Sequence, residues 1–202
     1  TAFLNYTSYF GVGFLMSFYL QRVLGFGPAE AGLILLSMPL VMAFLSPVSG
    51  WLSDRFGSRS LSSAGMALIC LGLFMFSTLS VNSSRLDVIV RLLVLGVGMG
   101  IFAPPNTSAV MGSVEKNRLG VAAGTLATMR FMGQSMSLAV MGAVAATAIS
   151  SKILSDLFIG LRSEDGTLMA EAFVEGIRRA FFVSAFISAL GIFTSLVRGK
   201  GK

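Results

Sequence analysis

The stretch GWLSDRFGSR, residues 50–59, holds three charges, Asp54, Arg55 and Arg59, in an otherwise apolar neighbourhood. Residues 31–53 carry no charge up to it, and residues 60–84 carry none after it. A membrane helix needs about 20 apolar residues to cross the hydrocarbon core. Each uncharged run is long enough for one, so the charged segment reads as a short turn between two spans. Gly50 and Gly57 suit such a turn, since glycine tolerates positive φ and close backbone approach. Asp54 can accept hydrogen bonds from a helix N-terminus or pair with an arginine. Arg55 and Arg59 hold the turn beside anionic headgroups.

Composition points the same way. Of 202 residues, 54% are hydrophobic and 12% charged, against roughly 25% charged in an ordinary soluble domain. Mean hydropathy is +0.83. So few charges cannot solvate a water-facing surface, which makes the chain a polytopic membrane protein. The net charge of +6 is spread over loops, with no basic run interleaved with aromatics, so nucleic acid is not an expected partner. The single Cys70 excludes an internal disulfide, and the absence of histidine excludes His-based metal sites and general bases. No cofactor is expected.

Working outward, six spans are predicted, at about 2–21, 31–52, 61–81, 88–110, 119–149 and 178–197, within one unit covering 1–202. The long apolar runs lack the two-residue alternation of a membrane barrel. Pro28 and Glu30 fit the first turn of the second span. The one long connection, 150–177, is expected outside the cytoplasm and to include a solvent-exposed helical piece. With six spans, residues 53–60, 111–118 and the C-terminus share a side. Lys and Arg in its short loops place that side in the cytoplasm. The start, TAFLNYTSYF, has no Met, no basic n-region and no cleavage site; it reads as a chain cut at or inside a span.

Arg130 is the most informative single residue. It lies near the middle of the fifth span, where a lipid-facing charge costs about 2.5–3.5 kcal/mol. It should face protein or water, with Gln134, Ser137 and Met141 following at helical spacing as a semi-polar stripe. Two readings stay open: a cation that meets substrate or a carboxylate of the missing half, or an arginine that is bonded to helix carbonyls or snorkels to the interface. On the fourth span, Gly96, Gly98 and Gly100 precede Pro104 and Pro105. The prolines are expected to break it, with the glycines serving either a bend or close packing. Pro39 and Pro47 are expected to kink the second span. Gly120 and Gly124 form a small-xxx-small pair suited to tight helix contact. Arg91 can pair with Asp87 at i, i+4.

The motif Gly-x-Leu-x-Asp-Arg-x-Gly-x-Arg, filled here by Gly50, Leu52, Asp54, Arg55, Gly57 and Arg59, resembles the loop signature of the major facilitator superfamily. GVGMGIFAPPNTSAVMGSVEKNRLGVAAG (96–124), RFMGQSMSLAVMGAV (130–144) and AFVEGIRRAFFVSAF (172–186) resemble the closing spans of its fourteen-span drug:proton antiporters. The resemblance covers nearly the whole chain. It implies an all-α fold of six transmembrane helices built as two inverted three-helix repeats, half of a major facilitator fold. This would be the C-terminal half, whose partner is a missing N-terminal half. The first and fourth spans would line a central cavity, and the second and fifth would meet the other half. The third and sixth would face lipid. The 50–59 turn would latch one state of alternating access.

On that basis the cavity candidates are Asn5, Tyr6, Tyr9, Met16, Met99, Phe102 and Asn106, with Arg130 and Gln134 as the intramembrane polar pair. An aromatic, Met-rich surface adapts to varied apolar molecules. Taken singly, each apolar residue fits ordinary helix packing better, while Asn5 and Asn106 are the stronger candidates because buried amides need partners. The implied function is secondary active efflux of small lipophilic compounds across the cell membrane, with protons as coupling ion. No acid lies deep in any span, so a proton-carrying group would sit in the other half, or coupling is not by protons. The open alternative is a non-transporting membrane module, or a half-transporter needing a partner chain. Without histidine, a Ser–base constellation or a metal cluster, an enzyme is not expected. A channel is disfavoured by the lack of a carbonyl filter or an acidic ring.

Overall fold

A computed structural model describes residues 1–147 and 166–197. The described residues fold as helices and short turns, with no strand among them. The first segment is divided into α1 (Ala2–Tyr9), α2 (Gly11–Phe18) and a π turn at Tyr19–Val23. Then come α3 (Pro28–Phe56), α4 (Ser58–Phe76), α5 (Arg85–Met111), α6 (Leu119–Thr147) and α7 (Gly166–Val197). The connection over 150–177, expected to include a solvent-exposed helical piece, is helical from Gly166 onward, but that piece runs on into the last helix and buries Val174 and Ile177; residues 148–165 lie outside the described part.

Local chemistry explains the ends. Pro28 opens α3 where its missing N–H needs no partner, and Glu30 sits in the same turn, opposing the helix dipole. Ser84 caps α5 by accepting a 3.1 Å bond from the Asp87 N–H. The 50–59 turn is tighter than expected. Gly50 lies inside α3, and α3 and α4 are joined through Gly57 alone, at φ +84°. An L side chain there would be strained. Pro39, Pro47, Pro104 and Pro105 all lie inside unbroken helices. The expected break in the fourth span is absent, because neighbouring helices hold that segment where two donors are missing.

Four of the described helices are long and apolar enough to cross a membrane: α3, α4, α5 and Ala170–Ser195 of α7. The first segment is split into short pieces. The polar and small residues of α6, Arg130 among them, keep it out of that set although it has 29 residues.

The core lies among the first segment, α4, α5 and α7, where Met16, Tyr19, Phe76, Phe102 and Phe181 are fully buried. α5 packs on both α3 and α4, α4 on α7, and the first segment on α6 and α7. Inside a membrane, helices associate through close packing rather than through escape from water. Gly65 and Gly98 provide it: a Cβ on Gly65 would stand 2.8 Å from the Gly98 carbonyl oxygen, and one on Gly98 2.8 Å from the Ile69 nitrogen. Gly96 meets α3 in the same way, 2.7 Å from the Met38 carbonyl oxygen. The glycine run is thus a packing surface. Gly120 and Gly124, by contrast, have nothing within 4 Å of an added Cβ. Their face of α6 is exposed here rather than in tight helix contact.

Candidate functional site

Arg130 meets a pair of tyrosines where α1 crosses α6. The Arg130 guanidinium carbon lies 5.1 Å from the Tyr6 ring centre. The Tyr6 and Tyr9 rings are 5.7 Å apart and tilted by 47°. Burial brings the arginine here: its Nε is shielded from solvent, and it makes no hydrogen bond or ion pair among the described residues. Among the described residues no helix carbonyl bonds it. The aromatic face is the contact that offsets its desolvation, worth up to about 2 kcal/mol where water is excluded. Gln134, one turn along, is half-buried.

Two α6 residues pin the helix in place. The Ser137 hydroxyl accepts a 2.9 Å bond from the Gly11 N–H, at the point where α1 gives way to α2. Gly133 lets α6 approach the Phe3 carbonyl oxygen to 2.8 Å of its absent Cβ. A backbone donor released by a helix interruption must find a partner inside a membrane, and Ser137 supplies it. Met141 is buried beside Gly11. The semi-polar stripe on α6 therefore divides: Ser137 and Met141 hold the first segment, while Arg130 stays uncommitted.

The remaining cavity candidates are placed as follows. Asn5 is fully buried; its amide nitrogen meets the Met66 sulfur at 3.1 Å, and its Oδ1 has no partner among the described residues. Met16, Met99 and Phe102 pack in the core. Asn106 is buried in the wall of a cleft of about 980 Å³ between the start of α1 and the adjacent ends of α5, α6 and α7. Phe3, Arg118, Thr125, Met129 and Phe193 also line it. Arg118 and Thr125 escaped the sequence reading. The cleft is built from segments far apart in the chain, so no local pattern announces it; Arg118 showed only as a loop charge.

In the 50–59 turn, Asp54 is exposed and makes no bond among the described residues. With α4 starting directly after Gly57, no side chain caps its N-terminus. Arg55 lies back over the Trp51 ring at 4.1 Å, a cation–π contact one helical turn away. Gly50 comes to ordinary contact with Pro104. At the opposite end, Arg91 bonds Asp87 at 3.0 Å, as its spacing predicts. Among the described residues, no group of His, Cys, Asp and Glu could hold a metal.

Comparison with known proteins fits this helical, apolar architecture. The Major Facilitator Superfamily profile matches residues 1–200. The chain belongs to that superfamily. It is 33% identical to the multidrug resistance protein Stp of Mycobacterium tuberculosis over 144 residues, 71% of this chain and 27% of that protein. It is 32% identical to the riboflavin transporter RibZ of Clostridioides difficile over 119 residues, 59% of this chain and 26% of RibZ. Against the lincomycin resistance protein LmrB of Listeria monocytogenes it is 26% identical over 202 residues, 99% of this chain and 41% of LmrB. The chain thus spans less than half the length of these relatives. As a member of this transporter superfamily with several membrane-crossing helices, it is a multi-pass protein of the cell membrane.

Proposed function

We propose that this chain is the C-terminal six-helix half of a secondary transporter that exports lipophilic, drug-like compounds by alternating access, coupled to protons. The observation that carries the reading is the Arg130–Tyr6–Tyr9 cluster, an uncommitted intramembrane cation with aromatic neighbours. It sits in a superfamily chain whose relatives include drug-resistance proteins. Aromatic faces beside one polar anchor suit adaptable recognition of apolar molecules.

Helix pairing supports the inverted repeat. The first segment packs on α6 as α5 packs on α3, and on α7 as α5 packs on α4. Exchanging the first three spans with the last three therefore preserves these partnerships. The broad apolar exposure of α3 (Leu33, Phe44, Trp51) and α6 (Val121, Phe131, Met132) supports their use against the other half. The exposed Asp54 and Arg55 suit a cytoplasmic latch.

The test is efflux of a lipophilic cationic dye from cells expressing the full-length protein, with and without a proton gradient, beside Arg130→Ala. The expected result is gradient-dependent efflux that falls at least tenfold in the variant at equal membrane abundance, the cost of losing about 1.4 kcal/mol. An abundant protein that moves no dye would overturn the export reading and favour a non-transporting module. Full efflux by the variant would return Arg130 to a packing role.

A further inference from the structure

At the end of the bundle opposite the 50–59 turn, α7 carries Arg178 and Arg179 at the mouth of an open groove of about 570 Å³. Phe74 of α4 and Ser77 just past its end, Val144 of α6 and Phe182 of α7 form its sides. Arg178 donates from Nε to the Ser77 carbonyl at 3.0 Å and from Nη1 to Glu175 at 3.4 Å. Arg179 donates from Nε to Glu175 at 2.9 Å. Two cations face one carboxylate, and both Nη nitrogens of Arg179, a side chain 55% exposed, make no bond among the described residues. Below the arginines Phe182, Phe186, Leu190 and Phe193 are exposed. Their spacing of four, four and three residues keeps them on one face of the helix.

We infer that this face is a seat for one anionic diacyl phospholipid, its phosphate held by Arg178 and Arg179 and an acyl chain laid along the Phe182–Phe193 stripe. Lengths agree: that stripe runs about 16 Å at 1.5 Å per residue, and one leaflet of hydrocarbon is about 15 Å deep. Charge agrees as well. The pair leaves one net positive charge above an apolar track, and guanidinium forks match phosphate oxygens. A partner helix would need to leave the arginine end wet, whereas a phospholipid supplies an anion and a tail in that order.

The experiment uses the full-length protein relipidated with phosphatidylcholine mixed with phosphatidylglycerol, with retained lipids counted by native mass spectrometry. Phosphatidylglycerol should be retained in preference. The double variant Arg178→Gln with Arg179→Gln should weaken that retention about thirtyfold, from roughly one kcal/mol per basic residue near an anionic surface. Glu175→Gln should strengthen it, and phosphatidylcholine binding should change in neither variant. Because Arg178 also holds Ser77, Arg179→Gln alone and a photoactivatable phosphatidylglycerol on the unaltered protein provide the second readings. The lipid label should concentrate in residues 178–193. Equal retention of both lipids, or label spread evenly over the helices, would overturn the proposal. Protection of α7 by another protein chain would replace the lipid with a protein partner.

Discussion

A guanidinium held over a phenol ring ties two remote residues, Tyr6 and Arg130, into one unit. Replacing Tyr6 by Leu keeps an apolar side chain there and removes the π face. Arg130 would then bear its desolvation without that offset, and the folded protein should lose about 1–2 kcal/mol, read as a lower midpoint in thermal unfolding. Ser137 makes a second prediction. Ser137→Ala leaves the Gly11 N–H without its acceptor, and such losses in membrane proteins run from about 0.6 to 2 kcal/mol. Ser137→Thr, which keeps the hydroxyl, should lose less. Arg130 stood out in the sequence because a charge inside a long run without others is rare in a membrane protein. The Tyr6 contact and the Ser137 bond were not legible. They join residues more than a hundred positions apart, and no local spacing carries that register.

Among the elements, glycines and prolines were the hardest to read. The Gly96–Gly98–Gly100 run fits a bend and a packing face equally well in sequence; only the helices lying against it decide. Gly98→Val would drive a side chain into Ile69 and the Gly65 carbonyl. The α4–α5 crossing should open at a cost of about 1–3 kcal/mol, measurable as faster proteolysis of the detergent-solubilised protein. The same change at Gly124, where nothing lies within 4 Å, should leave the stability of this chain nearly unchanged. Gly57→Ala would place an L side chain at φ +84° and ψ 140° and strain the α3–α4 junction by about 1–3 kcal/mol. The spans themselves were legible wherever long apolar runs met charged turns, as on either side of residues 50–59. Boundaries slipped where a helix continues past the apolar run, as α7 does toward Gly166, because amphipathic ends carry no hydropathy signal.

At the scale of the whole molecule, α3 and α6 bury the least and expose broad apolar faces. If a second six-helix half covers them, cysteines placed at Phe44 and Phe131 in the full-length protein should cross-link to that half with short bifunctional reagents. Positions such as Phe186 should not. Absence of any α3 or α6 cross-link, with the protein intact, would count against a two-half assembly. The contrast between four strongly apolar helices and two weaker ones also bears on how the chain enters the bilayer. Insertion depends on each segment's own transfer free energy at the time it emerges. The helices α3, α4, α5 and α7 can partition singly. The interrupted first segment and the Arg130-bearing α6 have less to gain from lipid, yet they pack on each other. They should therefore settle late and together, the first segment waiting at the membrane until α6 has been made.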